Sequence, residues 1–279
     1  MNTLYIVPTP IGNLEDITLR ALRILREVSL IAAEDTRTSR KLLDHYQITT
    51  PLTSYHEHNK LTKLDAIFEA LAGGDVALIS DAGTPGISDP GHELIREALS
   101  RQVRVVPLPG PSAIITALIA SGMPTNSYIY LGFLPRKAKA LHDLLESLLT
   151  ERRTLIAYES PNRLVETLAA IVEVMGNRPV AVARELTKLF EEVRRGAAAD
   201  VLAHYQVNEP RGEITLVLGG ANDSTAERWD ENRVLAALRM RIESGEARRQ
   251  SAKAVAQESG WDSREVYDLS LTIKSEGAG

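Results

Sequence analysis

The chain has 279 residues, 32 of them basic and 37 acidic, for a net charge of −5. That balance argues against indiscriminate nucleic-acid binding and leaves room for a local basic patch. The absence of cysteine excludes disulfides, cysteine-based zinc sites and any cysteine nucleophile.

Aromatic residues are scarce at 5%, so a run of base-stacking platforms is not visible. The length suits two domains. No apolar run approaches a membrane span, which makes a cytoplasmic location the expectation.

In chain order, residues 4–7 read as a first strand, followed by the constrained loop Pro8-Thr9-Pro10-Ile11-Gly12-Asn13-Leu14. Asp16 or Thr18 suits the cap of a helix whose apolar face carries Leu19, Leu22, Ile24 and Leu25. A buried strand over 28–33 ends in Glu34-Asp35-Thr36-Arg37. Two adjacent carboxylates and an arginine there suit either a functional turn or a salt-bridged helix start. Helices are expected over 39–46 and 60–72, and a strand over 52–55. His56-x-His58 has the spacing of two metal ligands on a strand face, but no nearby pattern completes a site, so no metal is expected.

Residues 76–91, VALISDAGTPGISDPG, organise the rest. Val76-Ala77-Leu78-Ile79 suits a strand buried on both faces of a parallel sheet. Asp89 and Pro90 suit the cap and first turn of a following helix. Between them, Gly83 and Gly86 allow close backbone approach, while Pro85 stiffens the loop. The loop fits neither the dinucleotide fingerprint nor the P-loop.

A helix over 93–100, a strand over 103–107 and the tight loop 108–113 follow, opening a helix that runs through 119. This alternation predicts an α/β protein with a mostly parallel sheet. Its three glycine- or proline-rich loops lie at one sheet edge, where they can converge on one cleft.

Turn residues at 121–126 mark a boundary. The expected domains are 1–122, 123–222 and a helical tail, 223–279. The second α/β unit has expected strands at 128–131, 154–158, 179–183, 190–195 and 214–218, with helices at 139–149 and 163–175. Ser160-Pro161 suits the cap and first turn of the latter. Arg136-Lys137-Ala138-Lys139 and Arg152-Arg153 suit solvated helix ends or phosphate contacts. In the tail, Ala256-x-x-x-Gly260 with Val266 fits helix-turn-helix spacing, and Arg239, Arg241, Arg248, Arg249 and Lys253 flank it. RNA contact and a capping bundle or dimer contact are both open readings of it.

Seven segments in order are LYIVPTPIGNLEDIT, AAEDTRTSRKLL, SDAGTPGISDPG, VVPLPGPSA, YESPNRL, RELTK and GEITLVL. Together they resemble the ribosomal RNA small subunit methyltransferase I family, tetrapyrrole-methylase-like enzymes dependent on S-adenosyl-L-methionine. The resemblance spans about residues 4–220. It implies two α/β domains with the cofactor between them, a homodimer, and 2′-O-methylation of a cytidine in the decoding region of small-subunit ribosomal RNA. An assembled subunit is the expected form of that RNA, with naked RNA the open alternative. The cofactor contacts it implies are Pro10, the loop residues Asp81, Ala82, Gly83, Thr84 and Ile87, then Ser112 and Ala113, Tyr158 and Glu159, and Gly212, Glu213 and Ile214.

The catalytic group is not fixed by the resemblance. Without a cysteine, covalent activation of a pyrimidine ring is unavailable, whereas a ribose hydroxyl needs only alignment and a base. Glu34 and Asp35 are the candidates for that base, with Arg37 keeping one of them ionised. Arg184 and Lys188 are the expected phosphate contacts. Methylation of a small tetrapyrrole and a non-catalytic RNA-binding assembly factor are the alternatives.

Overall fold

The computed structural model describes residues 2–56, 60–221 and 229–273. His58 of the histidine pair therefore lies outside the described residues. Two compact units result, Met1–Gly220 and Ala221–Gly279.

The first sheet consists of β1 (Thr3–Ile6), β2 (Leu30–Ala33), β3 (Leu52–Ser54), β4 (Val76–Ile79) and β5 (Arg104–Pro107), in the order β3-β2-β4-β1-β5. Every pairing in it is parallel. Such a sheet needs cover on both faces. Leu22 and Leu25 of α1 (Leu19–Glu27) and Leu42 and Leu43 of α2 (Thr36–His45) bury one face. Ile67 and Leu71 of α3 (Lys60–Gly73) and Leu94 of α4 (His92–Ser100) bury the other.

Thr18, not Asp16, caps α1, its side chain accepting from the Ala21 N–H. Leu19 was expected on the buried face and is instead 86% exposed, because the buried stripe of α1 runs through Ala21, Leu22, Ile24 and Leu25 and helical periodicity turns Leu19 away from it. The expected cap role of Asp89 is also overturned. Gly91 is the N-cap of α4 and supplies no side chain.

The second sheet orders β6 (Tyr128–Phe133), β7 (Thr154–Glu159), β10 (Ile214–Leu218), β8 (Pro179–Arg184) and β9 (Glu192–Ala197). Only β6 and β7 pair in parallel, and the other pairings are antiparallel. Helices α6 (Ala138–Ser147), α7 (Leu164–Met175) and α8 (Ala198–Val207) cover one face, with Leu145, Leu168 and Val201 in that core.

The opposite face takes α5 (Ala113–Ser121), whose Ile114, Ala117 and Leu118 pack against Ile156, Ala181 and Val217. The turn after α5 separates the sheets in sequence, but α5 itself packs on the second sheet. The loop that opens α5 thus belongs to both halves.

The tail unit holds α9 (Glu231–Glu243), α10 (Arg248–Ser259) and α11 (Ser263–Thr272) around Val234, Leu238, Val255, Ala256 and Val266. Gly260 ends α10 in the left-handed region at φ +69°, as a tight turn between two helices requires. No described helix is long and apolar enough to cross a membrane.

Candidate active site

The three loops at the edge of the parallel sheet are tied to one another. Thr9 after β1 and Gly83 after β4 exchange both backbone hydrogen bonds at 2.9 Å. The Thr9 hydroxyl donates to the Ser80 carbonyl at 3.0 Å, and the Thr84 hydroxyl to the Pro111 carbonyl at 3.3 Å. Gly83 sits at φ +79°, a conformation that favours glycine.

Facing these loops, Ile214 of β10 pairs with Glu159 of β7 on one side and Arg184 of β8 on the other. That register brings three distant segments to one point. Together the two walls enclose a cavity of about 370 Å³, within the range of small-molecule sites.

Ile11, Ala82, Gly83, Thr84, Ile87, Ser112 and Ala113 line it from one side, and Phe133, Tyr158, Glu159, Ala183, Leu186 and residues Gly212 to Thr215 from the other. All the expected cofactor contacts are there except Pro10, which is buried beside it, and Asp81. Ser88, Asp89, Phe133, Ser160, Pro161 and Leu186 are lining residues that the sequence reading missed.

Several groups on this wall already have partners. The buried Glu159 carboxyl accepts from the Thr167 hydroxyl at 2.6 Å and the Ser160 N–H at 2.7 Å, and pairs with Arg163 at 3.3 Å. It braces the turn after β7. Lys188 bridges Glu185 at 2.9 Å and Glu213 at 3.0 Å. Glu185 also accepts the Glu213 N–H. A Cβ on Gly212, at φ +80°, would run into the Glu185 carboxyl. Arg184 pairs with Glu192 at 3.0 Å. Both expected phosphate contacts are therefore held by carboxylates.

The expected catalytic group lies in a second, more open recess. Glu34, Asp35, Thr36, Arg37, Ser54, His56 and Asp81 line it. Neighbouring β2 and β4 end together, and their turns interlock: the Asp35 N–H donates to the Asp81 carboxyl at 3.0 Å, and the Asp81 N–H to Glu34 at 3.4 Å.

Asp35 caps α2 and receives Arg37 through guanidinium contacts at 2.7 and 3.2 Å. These hydrogen bonds hold its pKa down to about 2. Glu34 shifts upward, chiefly by burial and then by the charges of Asp81 and Asp35. Asp81 shifts upward by burial and by the Asp35 charge. Asp89 is pushed up to about 7, first by burial and then by the charges of Glu34 and Asp81, against a hydrogen bond from Ser80. Among the described residues, no three acidic or histidine side chains form a metal-binding group.

Fold and cleft together define a methylase of known architecture. Residues 3–202 match the model of the tetrapyrrole (corrin/porphyrin) methylases. Among solved structures, the uroporphyrin-III-C-methyltransferase of Thermus thermophilus superposes with a TM-score of 0.56 at 20% identity, over 78% of this chain and 94% of that one. Cobalt precorrin-4 methyltransferase gives 0.59 at 17% identity, with coverage of 78% and 94%.

Proteins called ribosomal RNA small subunit methyltransferase I are much nearer in sequence. The one from Synechocystis sp. is 44% identical over 99% of this chain and 100% of its own length. The one from Bacillus subtilis is 45% identical over 96% and 94%. The chain belongs to the tetrapyrrole methylase family, among its ribosomal RNA small subunit methyltransferase I members.

Proposed function

We propose that this protein methylates ribosomal RNA of the small subunit, transferring a methyl group from S-adenosyl-L-methionine to the ribose 2′-hydroxyl of a decoding-region cytidine. The observation that carries this reading is the pairing of a partly enclosed cavity with a more open acidic recess next to it. The cavity has the size of a nucleoside-bearing cofactor. Its apolar walls at Ile11, Ile87, Leu186 and Ile214 suit an adenine, and its glycine-containing segments let backbone groups approach the polar parts. Bound there, S-adenosyl-L-methionine supplies the methyl group.

The chain's own part is to hold donor and acceptor in line, which in a direct displacement supplies much of the rate. The open recess has room for an extruded nucleotide, with Glu34, Asp35 and Arg37 orienting it. Arg184 and Lys188 would contact phosphate by exchanging Glu192, Glu185 and Glu213 for it.

RNA is favoured over a small tetrapyrrole by the names of the relatives and by the tail. Arg239, Arg249 and Lys253 are exposed there, while Arg241 pairs with Glu246 and Glu258, and Arg248 binds the carbonyls of Ser270 and Ile273. The first three are the tail cations offered to RNA. A homodimer belongs to the same reading. The cytoplasm is the compartment for this reading, with an assembled subunit as the substrate.

Mass analysis of ribosomal RNA treated with the protein tests the reading. A methyl on a cytidine ribose is expected, whose 3′ linkage resists alkali because the 2′ oxygen is blocked. A methyl on the base, with an alkali-sensitive linkage, contradicts it.

A further inference from the structure

Asp89 sits in the loop between β4 and α4. Gly86 at φ +84° and Ser88 at φ +62° fold the loop after β4 back on itself. Because α4 starts from Gly91, the Asp89 carboxyl is not engaged as a helix cap. It lines the cavity between the two sheets, beside Ile87 and Ser88.

From the recess side the charges of Glu34 and Asp81 bear on it. On the second-sheet side stand Tyr130 and Tyr158, both influenced by its charge. Ser88 and Tyr130 share a hydrogen bond at 2.6 Å, and the two tyrosine rings pack edge to face. Ser80 hydrogen-bonds the carboxyl from β4's end. Asp89 thus borders the cavity that suits the methyl donor and is within electrostatic reach of the recess that suits the acceptor.

We infer that Asp89 is a catalytic residue, the base that takes the proton from the attacking ribose hydroxyl. This rests on the ribose-methylation reading above. As the 2′ oxygen bonds the methyl carbon, the carbon–sulfur electron pair returns to sulfur and the hydroxyl proton passes to the Asp89 carboxylate. The neutral acid then releases that proton to water.

Asp35 is a poor choice for this task, since Arg37 holds it as a weakly basic carboxylate. A carboxyl poised near the operating pH is the better acceptor, and the burial of Asp89, followed by its negative neighbours Glu34 and Asp81, provides that.

The test combines Asp89→Asn, which keeps the shape, with three measurements on the full chain. In single turnover on small-subunit particles, Asp89→Asn should lose about a hundredfold in rate and lose the acid limb of the pH profile near pH 7. Calorimetry with S-adenosyl-L-methionine should show affinity within about threefold of wild type.

The third measurement needs no ligand. A carboxyl whose native pKa is about 7, against an ordinary 3.8, holds its proton more tightly in the native state. Its favourable contribution is complete below pH 4 and lost as the pH rises to 7. Asp89→Asn should therefore melt above wild type at pH 8, with the gap closing below pH 4.

Wild-type rate with an unmoved acid limb in Asp89→Asn overturns the inference. If Asp89→Asn folds poorly, Asp89→Glu must shift the limb, and an unshifted limb overturns it equally. Failure of the wild type to methylate ribose defeats the underlying reading instead, and the two failures are distinguishable.

Discussion

Gly83 and Gly212 stand on opposite walls of the cavity, and both adopt φ near +80°. At Gly83 there is space, since a Cβ would lie 3.5 Å from Ile11. The cost of a side chain there is backbone strain and occupied cavity. Gly83→Val should abolish the rise in melting temperature that S-adenosyl-L-methionine produces by mass action. Unchanged cofactor binding by calorimetry would remove this loop from the site.

At Gly212 there is no space. Gly212→Ala should push Glu185 aside, loosen its contacts with Lys188 and the Glu213 N–H, and destabilise the fold by roughly 1–3 kcal/mol in chemical denaturation.

Asp35 gives the opposite pH sign from Asp89. Its pKa is depressed from 3.8 to about 2, so its contribution is present above pH 4 and fades as the pH falls through 2. Asp35→Asn should lower the melting temperature at pH 7 and match wild type near pH 2. Its loss of turnover should be smaller than that of Asp89→Asn.

At the scale of elements, the parallel sheet was legible in the chain. Each βα unit announces itself through an apolar run, a constrained loop and a periodic helix, and right-handed crossovers put the loops on one edge. The other wall was not legible as geometry. Phe133, the turn after Glu159, Leu186 and Gly212 meet only because β10 lies antiparallel between β7 and β8, a pairing that no local pattern encodes. Helix α8 (AADVLAHYQV) was missed because its apolar residues form only a short stripe.

Asp89 was read as a cap because Asp-Pro-Gly before a helix usually is one. Gly91 entered the helix instead and left the carboxyl for the cavity. In the tail, the glycine turn and the buried Ala256 and Val266 follow the helix-turn-helix spacing, but which arginines face solvent depended on the acids and carbonyls folded against them. Truncation after residue 221 should leave cofactor affinity unchanged and reduce activity on ribosomal particles. Arg249→Ala with Lys253→Ala should do the same in part and flatten the salt dependence of RNA binding. Full activity in the truncated chain would leave the tail without a role in RNA recognition.

For the whole molecule, the division of labour follows from the two sheets. A parallel sheet offers loops at one edge, and a mixed sheet offers strand ends and the loop between β8 and β9, where Glu185 and Thr187 hold positive φ values of 51° and 67°. Such strain in non-glycine residues concentrates at functional sites. The cleft between the sheets has the size for a compact ligand, while the acidic recess is more open. The central claim is that the large ligand is ribosomal RNA and the acceptor a ribose oxygen. The most direct measurement is nucleoside mass spectrometry of small-subunit RNA from particles lacking the modification, incubated with the protein and S-adenosyl-L-methionine carrying a heavy methyl. A heavy methyl on the ribose of one decoding-region cytidine, formed about a hundredfold more slowly with Asp89→Asn, is the predicted result. A heavy methyl on a base, or none on RNA while a tetrapyrrole is methylated, would contradict it.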